Sequence, residues 1–291
     1  MWDAIVRSVL LIFVFVFGTY VGSEKPYPFE VIARLWQPST SLEVYRFTDA
    51  SVREIAPAAT DGARQLVFMT YGQSNSTNYG GGSYEPKRDV VNFYDDAAYQ
   101  YRDPALGGDG REASVWGRLG DNIVDANYAD QVVFALAGAG GRTVGQLATG
   151  QEYEYFAQTY QALEKTYGKV DAILFHQGEN NHRAFTGGDY TPQFSELKSR
   201  MRADGIDADF YLSRASFCGS TIDVELLRKQ TAFIAPSEGI FAGPNTDQLS
   251  DKKFRADFEC HFSAEGLAAV ADMWVEALEA SGALKKEPLI N

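Results

Sequence analysis

Apolar runs that stop abruptly at glycine-rich or polar tips recur along this chain, and that rhythm constrains its fold more than any other feature. Residues 65–71 (Gln-Leu-Val-Phe-Met-Thr-Tyr) halt at Gly72 and give way to Gln73, Ser74, Asn75, Ser76, Thr77 and Asn78. Residues 131–137 halt at Gly138-Ala139-Gly140-Gly141-Arg142-Thr143, and residues 171–175 run into His176-Gln177-Gly178-Glu179. Short runs rich in β-branched and aromatic residues, bounded by turn formers, read as buried strands. Further strands are expected at 90–94, 209–215 and 240–242. Between them the apolar spacing turns helical, with Val115, Trp116, Leu119, Ile123 and Val124 inside 112–127. Tyr155, Phe156, Tyr160 and Leu163 mark a helix over 151–167, and others are expected over 191–203, 223–235 and 263–281. Ser263 is placed to cap the last helix and Gly282 to end it. Strands alternating with helices imply one three-layer α/β domain over 63–291, built on a mostly parallel sheet.

The first residues are different. Arg7 precedes the uniformly apolar stretch 9–17, and Val21-Gly22-Ser23 follow it with mostly small residues. A basic residue, a short apolar region and small residues beyond describe an export signal. The apolar segment 8–22 is 15 residues long, short of the roughly 20 that span a bilayer. Residues 1–23 are therefore read as a cleaved signal or a single uncleaved membrane anchor, with the body exported, periplasmic or otherwise extracytoplasmic. Residues 24–62, with Pro26, Pro28 and Pro38 among polar clusters, read as a membrane-proximal linker or extension. A net charge of −13 excludes a nucleic-acid partner, since neutralising phosphates takes a basic footprint.

Parallel α/β sheets bind ligands at the carboxyl ends of their strands, so Ser74, Gly140-Gly141 and Gln177-Gly178-Glu179 are expected along one edge. His261, just before the last helix, is the fourth candidate. Acyl transfer needs that set: a nucleophile, a base to take its proton, an acid to orient the base and donors for the oxyanion. The Ser74 and Gly141 N–H groups and the Gln177 side-chain amide are the candidate donors. Three histidines (176, 182 and 261) and two cysteines with no close spacing give a metal site no support. Cys218 and Cys260 are either a disulfide, as an oxidising compartment allows, or two buried thiols.

Gly72-Gln73-Ser74-Asn75, Gly140-Gly141-Arg142-Thr143, Gln177-Gly178-Glu179 and Asp257…His261-Phe262-Ser263 resemble, in order, the conserved blocks of the SGNH/GDSL hydrolase superfamily. The specific likeness is to its sialate O-acetylesterase-like carbohydrate esterases, and it covers about 66–278. The resemblance implies a flavodoxin-like fold, no metal or organic cofactor, and removal of acetyl groups from a sugar or polysaccharide. It makes Ser74 the nucleophile and His261 the base, with Gly141 (or its neighbour Gly140) and Gln177 lining the oxyanion hole. The family pattern has its acid three residues before the histidine, where this chain has Phe258. Asp257 takes the role if the loop bulges by one residue, and Glu259 is the other candidate. Asn75, Glu179 and Arg142 are expected near substrate or bracing the loops. Arg142 could hold an acidic sugar or simply be exposed, while His176 reads as structural and His182 as a solvated loop residue. A Cys218–Cys260 bridge would pin the loop that carries the base.

The same residues permit a polysaccharide O-acetyltransferase, if a sugar hydroxyl rather than water takes the acetyl group. A catalytically inactive carbohydrate-binding scaffold is the remaining alternative, supported only by the irregular Asp257–His261 spacing.

Overall fold

A computed structural model describes residues 44–182, 187–256 and 260–286. The apolar N-terminal segment and the two candidate acids, Asp257 and Glu259, lie outside the described residues. Among the described residues no helix is long and apolar enough to cross a membrane.

Seven strands form one sheet: β1 (Gln65–Gly72), β2 (Val90–Tyr94), β3 (Ala97–Gln100), β4 (Gln131–Leu136), β5 (Ala172–His176), β6 (Asp209–Arg214) and β7 (Ile240–Asn245). Their spatial order is β3-β2-β4-β1-β5-β6-β7, and every neighbouring pair is parallel except β2 with β3. Leaving out the β2–β3 hairpin, the order β4-β1-β5-β6-β7 is the 2-1-3-4-5 winding of flavodoxin-like sheets. The chain passes from β1 to β4 on one side and then to β5 on the other. In open α/β sheets such a reversal marks where ligands bind, here the carboxyl end of β1. The expectation of a three-layer, mostly parallel, flavodoxin-like α/β domain therefore holds.

Helices cover both faces. On one lie α1 (Trp116–Asp125) and α6 (Ala264–Ser281), packed on Phe68, Phe134, Leu174 and Tyr211. The other is covered by α3 (Gly150–Tyr167), α4 (Tyr190–Ala203) and α5 (Val224–Ala232), packed on Val67, Met69, Tyr71, Phe175 and Phe210. A four-residue helix, α2 (Val144–Leu147), precedes α3 and starts from a capping box of Thr143 and Gln146. Along β1 the side chains Val67, Met69 and Tyr71 point to one layer and Phe68 to the other, the period-two alternation of a strand buried on both faces. Ser263 caps α6 by accepting from the Gly266 N–H, and Gly282 ends it in the left-handed region.

The hairpin strand β3 is absent from the sequence reading. Asp95 and Asp96 make its two-residue turn, both at positive φ (50° and 58°), a conformation usually signalled by Asn-Gly or Asp-Gly. Part of the expected linker also belongs to the body. The Ala56 N–H donates to Ala98 O and the Gln100 N–H to Glu54 O, while Phe47 exchanges backbone bonds with Gly107 and Gly108.

Candidate active site

Ser74 is positioned by the end of β1. Gly72 sits at φ +134°, and a Cβ there would lie 2.0 Å from the His176 carbonyl oxygen, so only glycine lets β1 and β5 run this close. The chain then closes into a 3₁₀ turn, Ser74–Ser76. The Gln73 N–H bonds His176 O at 3.0 Å, Ser76 Oγ donates to Gln73 O at 2.6 Å, and Trp116 Nε1 donates to Ser76 O at 2.9 Å. The Gln73 side chain turns inward, its Oε1 accepting from the Asn180 N–H at 3.0 Å. Ser74 is thus held on a rigid turn with 6% of its surface accessible.

The β4 tip lies alongside. Ala139 N–H bonds Gly72 O at 3.0 Å, and Gly141 turns the chain at φ +66°. The Gly140 N–H is committed to Asp109 Oδ2 at 2.7 Å. Asn180 Nδ2 holds Gly141 O at 2.6 Å. The Gly141 and Ser74 N–H groups donate to no described residue. Arg142, expected near substrate, bracing the loops or exposed, is buried rather than exposed, its Nε 3.0 Å from Glu152 Oε1.

The β5 tip supplies Gln177 and Glu179. Gln177, expected to aim its amide at an oxyanion, is fully buried, and its Nε2 faces Asn181 Oδ1 at 2.7 Å, Gln73 Oε1 at 3.2 Å and Arg142 O at 3.3 Å. Its amide therefore ties three loops together. Glu179 is also buried. Its Oε1 accepts from Asn75 Nδ2 at 2.6 Å and pairs with His176 Nε2 at 2.9 Å. Burial alone would raise this carboxyl. The neighbouring His176 and the hydrogen bonds from His176 and Asn75 outweigh it and bring the pKa down to about 2. His182, read as solvated, is buried beneath the 216–221 loop, with Nε2 3.2 Å from Thr221 Oγ1.

His261 is brought to this edge by its neighbours. Cys260 is disulfide-bonded to Cys218, and the Cys260 carbonyl accepts from both Asn75 Nδ2 (3.1 Å) and Arg255 Nη1 (2.8 Å). Arg255 also holds Leu249 O and Thr246 O, and its guanidinium lies between the Phe217 and Phe262 rings. Burial lowers its pKa to about 10, which leaves it charged at neutral pH. On the other side the Gly81 N–H bonds Phe262 O at 2.8 Å, so the glycine-rich 80–82 loop straps the histidine loop to the serine loop. The His261 ring sits 5.3 Å from the Tyr79 ring, centroid to centroid.

The comparisons with known proteins bear on this arrangement. No family model and no curated protein matches the chain. Solved structures do. A protein of Arabidopsis thaliana superposes with a TM-score of 0.60 at 14% identity, over 75% of this chain and 98% of its own. NanS superposes with a TM-score of 0.51 at 12% identity, over 75% and 97%. The likeness is one of fold.

Within that shared fold, the structure adds residues that the sequence did not single out. Asp109 accepts from the Tyr79 hydroxyl (2.9 Å) and the Gly140 N–H (2.7 Å), linking the serine loop to the β4 tip. Asn180 and Glu152 hold the same tip, as described above. None lies in a recognisable motif, so no local pattern could have flagged them. Among the described residues no group of three or more His, Cys, Asp or Glu could hold a metal ion.

Proposed function

We propose that the chain is an exported serine esterase that removes O-acetyl groups from a carbohydrate. The observation that carries this reading is the convergence at the β1 tip. Ser74 sits on a fixed turn at the end of β1, the β4 tip is bonded to that strand end through Ala139 and Gly72, and the N–H groups of Ser74 and Gly141 donate to no described residue. Asn75, next in the chain, bonds directly to the carbonyl that precedes His261.

In the proposed reaction Ser74 Oγ attacks the acetyl carbonyl carbon while its proton passes to His261. The negative charge that develops on the carbonyl oxygen is held by the Ser74 and Gly141 N–H groups. Collapse breaks the bond to the sugar oxygen, which leaves with the proton from His261. Water, deprotonated by His261, then releases acetate from Ser74 and returns the proton. Gln177 acts by fixing the loops that present the donors. The acid that orients His261 is assigned to Asp257, with Glu259 as the other candidate.

Carbohydrate rather than lipid substrate is supported by the sequence resemblance and by the polar side chains around Ser74. Export is supported by the apolar segment at 9–17 and by the Cys218–Cys260 disulfide, a bond favoured in oxidising compartments.

Acetate release from a small acetyl ester and from an acetylated sugar, compared between the chain and Ser74→Ala, tests the proposal. Release that vanishes in Ser74→Ala is the expected result. Equal release from both forms overturns it, and release only with an added polysaccharide acceptor makes acetyl transfer the better reading.

A further inference from the structure

The part of the expected linker that belongs to the body reaches the β4 tip. The Tyr45 N–H donates to Asp109 Oδ1 at 3.0 Å, while the other oxygen of that carboxylate holds the Gly140 N–H. Between Tyr45 and Phe47, Arg46 spreads its guanidinium over the underside of the loop. Nη1 donates to Gly107 O and Gly138 O, each at 3.1 Å, and Nη2 to Glu152 Oε2 at 3.0 Å. The group also lies 3.7 Å from the centroid of the Tyr155 ring. The second Glu152 oxygen takes Arg142 Nε at 3.0 Å. Gly138 and Arg142 are the two ends of the loop that carries Gly140 and Gly141, and one Arg–Glu–Arg bridge clamps both.

We propose that Arg46 is a positioning residue for the oxyanion loop, setting the Gly141 N–H through Gly138 and through the Glu152–Arg142 pair. The proposal rests on the acyl-transfer reading of Ser74. The shape of the clamp needs an arginine. Three acceptors in different directions suit a planar fork with five N–H groups, whereas a lysine ammonium is a point charge on a flexible stem. A misplaced donor acts on the charge that develops in the transition state, so its cost falls on kcat rather than on KM.

The test uses the full chain with Arg46→Ala and Arg46→Lys. Loss of a whole oxyanion donor costs about 10²–10³ in kcat, so a loosened one in Arg46→Ala is expected to cost roughly tenfold per folded molecule, with KM within about twofold. Arg46→Lys, which keeps the pair with Glu152, is expected to recover part of that loss. Hydrogen exchange provides a readout independent of activity: Arg46→Ala speeds exchange of the 138–144 amides as well as its own segment. Unchanged kcat in Arg46→Ala, or faster exchange confined to 44–57, overturns the proposal. If the chain shows no Ser74-dependent release, the acyl-transfer reading fails by itself. The exchange arm then decides the coupling alone, faster exchange at 138–144 supporting it and unchanged exchange overturning it.

Discussion

Glu179 and Glu152 are shielded carboxylates on opposite sides of the candidate site, and each holds two partners by different means. Glu179 lies in the β5 tip and takes His176, three residues earlier, and Asn75, the neighbour of Ser74. Asn75 belongs to the blocks that carry the proposed chemistry, and His176 directly precedes one of them. Glu152 lies on α3 and takes Arg142 and Arg46, the second from a segment 106 residues away. The serine turn is thus braced by a residue of the motif blocks, whereas the proposed oxyanion loop leans on Glu152 and Arg46, which lie outside them. A motif search finds Glu179 and misses Glu152 and Arg46.

The largest effect expected is on the Glu179 side. Glu179→Ala leaves His176 and Asn75 facing a buried gap, and breaking a buried pair costs about 3–5 kcal/mol of unfolding free energy. Ser74-dependent release should fall by roughly 100-fold, because Asn75 then loses the acceptor that aims it at Cys260 O. Glu179→Gln keeps an acceptor for Asn75 and should recover much of the rate. Glu152→Gln should cost less in both stability and rate, and a greater loss there in denaturant melts and initial rates would reverse the ranking of the two sides.

Next in size is the disulfide, which acts on the histidine loop alone. Replacing Cys218 and Cys260 by serine should lower stability by about 2–4 kcal/mol, as expected for a bond closing a loop of this order. In hydrogen exchange the 260–263 amides should lose protection while 138–144 keep theirs. Equal loss at both would show that the two loops are not independently braced.

The pH dependence of stability should separate Glu179 from a third buried carboxylate, Asp103, which belongs to neither side. Glu179 is depressed from 4.5 to about 2 in the folded state. Its contribution is therefore full above about 4.5 and lost as pH falls towards 2. Asp103 is pushed by burial from 3.8 to about 7, with the Ser114 N–H and Arg118 pulling it back only in part. The sign reverses: its contribution is present below about 3.8 and lost as pH rises through 7. Melting curves should show Glu179→Gln flattening the acid limb. Asp103→Asn should flatten the limb between pH 4 and 7 and should leave acetate release unchanged, the smallest effect on rate of the set.

Much of the fold was legible because strands buried on both faces must be apolar throughout and must end at turn formers. Residues 65–72, 131–136 and 172–176 declare themselves that way, and Ser263 and Gly282 bound the last helix by ordinary capping chemistry. The β2–β3 turn hid because aspartate supplies a left-handed conformation that glycine usually signals. Gln177 was legible as a strand-tip residue, but which way its amide points depends on Gln73, Asn181 and Arg142 meeting it in space. Arg46, Asp109 and Glu152 gave no sign at all. An arginine or a carboxylate becomes a clamp only through contacts that no local spacing encodes.

The pairing of residues 54–56 with β3 has a consequence for self-association. β3 is the last strand on its side of the sheet, and an open last strand is a template on which further copies can add. Glu54 and Ala56 occupy part of that row with backbone bonds to Gln100 and Ala98. A chain trimmed to begin at β1 would uncover the row and gain a route to stacking edge to edge. The stretch that looks like a dispensable tether thus also covers part of a sheet edge.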